Sequence, residues 1–118
     1  QSLNKLDEEF LSRLVTFIEA NVSDTALDAR AICEEFAMSR TVLYSKIKTL
    51  TGQSVHEFIK SIRLKRSVIL LLEGKLNISQ IAIEVGFNSN SYFDKCFTKH
   101  YGMGPKEYVL KKRSLRVG

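Results

Sequence analysis

The sequence predicts an all-α fold of about seven helices, in which two short helical units are joined by one long linker helix. Two observations carry this. The stretch from Ser54 to Glu73, SVHEFIKSIRLKRSVILLLE, reads as a single helix with two apolar faces. Val55, Phe58, Ile59, Ile62, Ile69 and Leu72 follow one face, Leu64, Val68 and Leu71 another, with Lys60, Arg63, Lys65 and Arg66 between them. A helix packed on one side needs only one apolar stripe, so two faces predict a strut gripped by one packed unit on each side. At ~1.5 Å per residue it would span roughly 30 Å.

The second observation is a repeat. At an offset of 50, Leu43 pairs with Phe93, Ile47 with Phe97, Gly52 with Gly102, Glu57 with Glu107, Phe58 with Tyr108 and Ile59 with Val109. Upstream the offset is 49, pairing Ile32 with Ile81, Cys33 with Ala82, Phe36 with Val85 and Ala37 with Gly86. The one-residue difference falls in a turn, where insertions disturb least. A repeat of this length fixes architecture before any local pattern does.

Composition bounds the rest. With 118 residues and 44% hydrophobic content the chain can build one modest core, or two very small ones sharing an element. No apolar run reaches the ~18 residues of a membrane span, so neither a span nor a signal peptide is expected of this sequence. The chain starts at Gln1, as would a processed chain or a piece excised from something larger. Cys33 and Cys96 lack CxxC spacing and flanking histidines, so they are read as packed thiols in a reducing compartment, with no metal and no cofactor expected. Residues 1–37 hold three Lys/Arg against eight Asp/Glu, a balance of −5, while residues 38–118 hold fifteen against five, a balance of +10. A block this basic suits an anionic partner such as nucleic acid. An ordinary solvated helical surface suits the charge alone equally well.

Taken in order, Asp7 is the expected N-cap of a first helix, with a Leu6–Leu11 staple and Phe10, Leu11, Leu14, Phe17 and Ile18 on its apolar face, ending near Asn21. Residues 1–25 thus form an N-terminal linker and first helix. Asp28 caps a second helix through Ala37, with Ile32, Cys33 and Phe36 inward. Ser39 caps a third, Arg40 to Leu50, with Val42, Leu43, Ile47 and Leu50 inward. Thr51-Gly52 ends it, Gly52 supplying the left-handed residue. After the strut, Asn77 or Ser79 opens a short helix with Ile78, Ile81, Ala82 and Val85 inward, and Gly86-Phe87 makes the turn. Asn88-Ser89-Asn90 offers caps for a helix to Tyr101, with Tyr92, Phe93, Cys96 and Phe97 available for packing. Pro105 suits the first turn of a last short helix, Lys106 to Lys111, followed by a mobile basic tail over 113–118.

A short helix, a tight turn and a second helix polar on its free side describe a helix-turn-helix. One such motif is a weak signal; two in register, about 28–52 and 78–101, are a strong one. At these residues a family emerges. The segment ISQIAIEVGFNSNSYFDKCFTKHYGMGPKEY resembles the signature of the AraC/XylS-type transcription regulators, with IA-xxx-GF, SYF, F-xxxx-G and P-xx-Y in order at the family's spacing. The resemblance runs upstream through MSRTVLYSKIKTLTGQSVHEFIKSIRLKRSVILLL and covers about Ala26 to Tyr108, within a domain bounded at 26–112. LYSKIKTLTGQS is most similar to members that end response-regulator or hybrid sensor-kinase chains of bacterial two-component systems. Ser67 departs from the family's usual Ala on the linker helix. Thr41 and Ser45 stand where some members carry a large or basic base-reading residue, which shifts weight to Arg40, Tyr44 and Lys48.

The resemblance implies sequence-specific binding of double-stranded DNA for transcription regulation in the cytoplasm, with two recognition helices in successive major grooves. RNA polymerase and a homodimer formed through segments outside this fragment are its implied further partners. Arg40, Tyr44, Asn90 and Asp94 are candidates for base edges, with Thr41, Ser45 and Ser91 as adaptable donors. Arg matches guanine and Asn adenine. Lys48, Lys95 and Lys99 suit phosphate. For each residue singly, an exposed polar side chain of no special role is the competing reading. Arg63 is expected to sit in a half-buried ion pair on the strut, and Tyr92 to pack or to stack on the DNA backbone. His56 and His100, without partners at telling spacing, are read as surface residues. No phosphate-cradling glycine loop, zinc spacing or nucleophile elbow occurs, so an enzyme is not expected. The alternative is a helical protein-interaction module whose basic surface meets an acidic partner.

Overall fold

A computed structural model of the protein describes residues 4–117. Among these there are seven helices and no strand: α1 (Lys5–Ala20), α2 (Ala29–Phe36), α3 (Arg40–Thr51), α4 (Val55–Glu73), α5 (Ile78–Glu84), α6 (Asn90–Tyr101) and α7 (Pro105–Val117). The all-α expectation holds. The chain divides into two compact units, one up to Ile62 and one from Arg63 onward, so α4 contributes its N-terminal half to the first and its C-terminal half to the second.

In the first unit α2 packs on α3. Phe10, Leu14 and Ile18 of α1 join Leu27, Ile32, Leu43, Ile47 and the α4 residues Val55, Phe58, Ile59 and Ile62 in one buried cluster. The first helix is therefore part of this core. Phe36 seals its edge, meeting Phe10 and Phe17 edge-on at 5.9 Å each, with the Arg13 guanidinium over its ring at 4.8 Å.

In the second unit α5 packs on α6 and α6 on α7. Leu64 and Leu71 of α4 are buried, as are Ile81, Ala82, Val85, Phe87, Phe93, Cys96 and Phe97. Aromatic rings dominate: Phe97 contacts Phe93, Tyr101 and Tyr108 with centroids 5.8, 4.6 and 5.5 Å away. Burial, and then the neighbouring Tyr108, raises the Tyr101 phenol above its ordinary value, so the neutral ring is what the core accepts. Ser67 is fully buried on α4, where its hydroxyl donates to the Leu64 carbonyl at 2.6 Å. That back-bond satisfies a hydroxyl where alanine would need nothing.

The helix ends obey the repeat. Asp28 and Asn77 cap α2 and α5; Ser39 and Ser89 cap α3 and α6, accepting from the N–H of Val42 (3.2 Å) and Tyr92 (3.1 Å). The turns share a six-to-one hydrogen bond, Met38 N–H to Cys33 O at 3.1 Å and Phe87 N–H to Ala82 O at 2.9 Å. Gly52 and Gly102 close α3 and α6 with φ of 76° and 80°.

Several local expectations are corrected. Asn4, not Asp7, caps α1, its Oδ1 accepting from Asp7 N–H at 2.8 Å; Leu6 is 77% exposed and staples nothing. Val42 is exposed because it lies about 100° around α3 from the Leu43–Ile47–Leu50 face. Ile69 shares a helix face with Ile62, but the buried residues of the C-terminal half of α4 occupy a different face, leaving it exposed. The last helix does not stop at Lys111: Lys111 to Val117 contains neither Gly nor Pro, and α7 runs on through the predicted tail. Gly118 lies outside the described residues.

Candidate nucleic-acid interface

α3 is largely polar on one side because its inward apolar residues recur as Leu43, Ile47 and Leu50, with Val42 the exposed exception. At about 100° per residue, Thr41, Ser45 and Lys48 project from the opposite side and Tyr44 from its flank; Arg40 lies within about 20° of Ile47 in phase but opens the helix, and all five are exposed. Arg40 sits at the first helical position and Tyr44 one turn on, so both reach the same end of the exposed strip. The Lys48 ammonium donates to the Gly52 carbonyl at 3.0 Å, where it also offsets the partial negative charge at the α3 C-terminus. The α3–α4 turn is closed by a reciprocal box. Ser54 Oγ accepts from Glu57 N–H at 3.1 Å and Glu57 Oε1 accepts from Ser54 N–H at 2.9 Å. That backbone N–H, and then the Ser54 hydroxyl, hold the Glu57 carboxyl below its ordinary value.

α6 repeats the arrangement. Phe93, Cys96 and Phe97 point inward, while Asn90, Ser91, Asp94, Lys95 and Lys99 are exposed. The sequence reading missed three residues here. Thr98 is exposed on the same strip, at the place that Lys48 takes in α3. Lys106 lines a cleft of about 690 Å³, together with the α5 cap Asn77, Ser79 of α5, Asn90, Ser91 and Asp94 of α6, and Glu107 of α7. Ser79 Oγ accepts a hydrogen bond from Asn90 Nδ2 at 3.2 Å. The signal for Ser79 was present: Asn77 and Gln80 have capping-box spacing, and the structure forms that box, which leaves Ser79 with no capping duty.

Arg63, half-buried as expected, donates from Nη1 to the Gly86 carbonyl at 3.3 Å. The guanidinium thereby ties α4 to the turn between α5 and α6. Tyr92 is 44% exposed and rests its ring 5.8 Å from Phe87. His56 and His100 are exposed, and His100 lies against Tyr101 at 4.7 Å. Among the described residues no cluster of three or more His, Cys, Asp or Glu could hold a metal, and no helix is long and apolar enough to cross a membrane.

A family model described as a helix-turn-helix domain matches residues 32–111. Histidine kinase P4 of Formosa agariphila is 41% identical over 107 residues, 91% of this chain and 8% of the kinase. The HTH-type transcriptional activator RhaR of Escherichia coli K12 is 32% identical over 102 residues, 86% of this chain and 36% of the activator. The C-terminal domain of AraT, a response regulator from Geobacillus stearothermophilus, superposes with a TM-score of 0.78 at 27% identity, covering 94% of this chain and 88% of that one. The chain belongs to the AraC-type helix-turn-helix family of DNA-binding domains found in transcription regulators. It spans only a small part of the kinase and about a third of the activator.

Proposed function

We propose that the chain is the DNA-binding output domain of a larger two-component-type regulator, seating α3 and α6 in successive major grooves of one operator. The supporting observation is the pair of exposed polar helices built on the same caps and turns, at matching positions of a repeat. A 19-residue α4 has a length of about 28 Å, near the ~34 Å between successive major grooves on one side of B-DNA. One chain then does what takes two copies of a single helix-turn-helix. In this reading Arg40, Tyr44, Asn90 and Asp94 meet base edges, Thr41, Ser45 and Ser91 adapt to them, and Lys48, Lys95 and Lys99 meet phosphates. The matches to a histidine kinase and to a response regulator's C-terminal domain support a sensor-linked role.

The domain acts by binding and not as an enzyme. It works in the cytoplasm beside RNA polymerase, and pairing of copies falls to segments outside this chain. Salt-titrated binding to DNA sites selected from a random pool tests the reading. Three phosphate-contacting lysines predict a log–log slope of about −2 to −3 with a clear sequence preference. Weak, sequence-blind binding alongside tight association with an acidic protein would instead make the chain an interaction module.

A further inference from the structure

Asn90 and its counterpart Arg40 open the two candidate reading helices in different surroundings. Among the described residues the Arg40 side chain makes no hydrogen bond, and the residue matching Ser79 in the first unit, Arg30, turns to Glu34 of its own helix at 3.4 Å. Asn90 is held from outside its helix, because Nδ2 donates to Ser79 Oγ, 3.2 Å away on α5. The caps at the start of α5 and α6 leave both partners free for each other. Asn77 takes the α5 cap with Gln80, and Ser89 takes the α6 cap. Ser79 and Asn90 are thus excluded from capping and face one another across the cleft that Ser91 and Asp94 also line.

We propose that Ser79 is a positioning residue that sets the base preference of the second reading helix by fixing the amide plane of Asn90. This rests on the proposed reading of α6 as a base-contacting helix. A primary amide has two N–H donors and a carbonyl acceptor with two lone pairs. With one N–H committed to Ser79, the side chain keeps one donor and the acceptor, side by side in a plane that cannot rotate freely. That pair matches N7 and the N6 amino group of adenine in the major groove. A freely rotating amide would match adenine only part of the time, and would lose rotational freedom on binding that the clamped amide has already given up.

The test uses the full 118-residue chain on sites selected from random double-stranded DNA, with affinity measured for every single-base change. Asn90→Ala should erase an adenine preference of about five- to a hundredfold at one position. Ser79→Ala should weaken the preference at that same position by about two- to tenfold, leaving other positions, thermal midpoint and non-specific affinity unchanged. Ser79→Thr, which keeps the hydroxyl, should restore it. In DNA-free protein, the Asn90 side-chain amide protons should exchange faster with solvent in Ser79→Ala than in wild type or Ser79→Thr. Loss of the preference in Asn90→Ala but not in Ser79→Ala would overturn the positioning role alone, as would an equal loss at all positions. An Asn90→Ala variant with an unchanged base profile would overturn base reading by Asn90 and this inference with it. Failure to select any sequence would overturn the proposed function itself.

Discussion

The two helix-turn-helix units share their hydrogen-bond skeleton and differ in what fills it. Both open their second helix with Ser, close the internal turn with a six-to-one bond and end on a left-handed Gly. Yet the turn residue that follows the first helix of each pair is Ala37 in the first unit (φ 51°) and Gly86 in the second (φ 84°). The core of the first unit is mainly aliphatic around Leu43 and Ile47; that of the second centres on Phe93 and Phe97. The comparison teaches that a few positions with special backbone or capping chemistry define the motif. Volume and surface can then diverge, one head opening on Arg40 and the other on Asn90, which hydrogen-bonds Ser79 of the neighbouring helix.

The largest expected effect tests the cores. Phe97→Ala should cost about 3–5 kcal/mol, because three aromatic neighbours lose their contacts with the ring, and Ile47→Ala, its counterpart, about 2–4 kcal/mol. Chemical denaturation of the two variants checks the order; an equal loss would mean that the aromatic contacts add nothing beyond volume. A smaller effect tests the turns in opposite directions. Gly86→Ala forces a Cβ into the left-handed region and should cost about 1–2 kcal/mol, whereas Ala37→Gly relieves the same strain and should gain about 0.5–1 kcal/mol. Denaturation midpoints that move the same way in both variants would break the analogy between the turns.

The smallest effect concerns the Ser54–Glu57 box, which has no equivalent in the second unit, where Gly104 occupies the matching position. Since the folded-state carboxyl of Glu57 lies below its ordinary value of 4.5, its contribution is complete above that value and is lost as pH falls through the lower folded one. Wild type should therefore lose slightly more stability on acidification than Glu57→Gln, whose amide can keep the box without titrating. Parallel pH profiles from thermal melts would contradict this.

Much of this architecture was legible because its determinants are local. Ser39, Ser89, Gly52, Gly102 and Pro105 fill positions that few other residues fill, so helix ends could be read from identity and order. The strut was legible from its two apolar faces, since Val55 to Ile62 and Leu64 to Leu71 do bury in different units. Val42 and Ile69 were misjudged for different reasons: Val42 lies off the apolar face of α3 in helical phase, whereas Ile69 is in phase with Ile62 and is exposed because where a covering unit ends is a tertiary fact. The extension of α7 was hidden because a basic run without breakers is equally compatible with helix and tail. In the interface, exposure of eight candidate side chains followed from helical phase; Arg40 and Asn90, close in phase to Ile47 and Phe97, are exposed as the first residues of their helices. The Ser79–Asn90 bond was not legible, because it joins two helices whose separation only folding sets.

The central claim is that one chain reads two grooves with two different heads, and the most direct measurement is a paired specificity profile. Arg40→Ala and Asn90→Ala should each relax base preference at one cluster of positions on selected DNA, the clusters lying about ten base pairs apart. Overlapping clusters, or adjacent base pairs affected by both, would contradict the two-groove account.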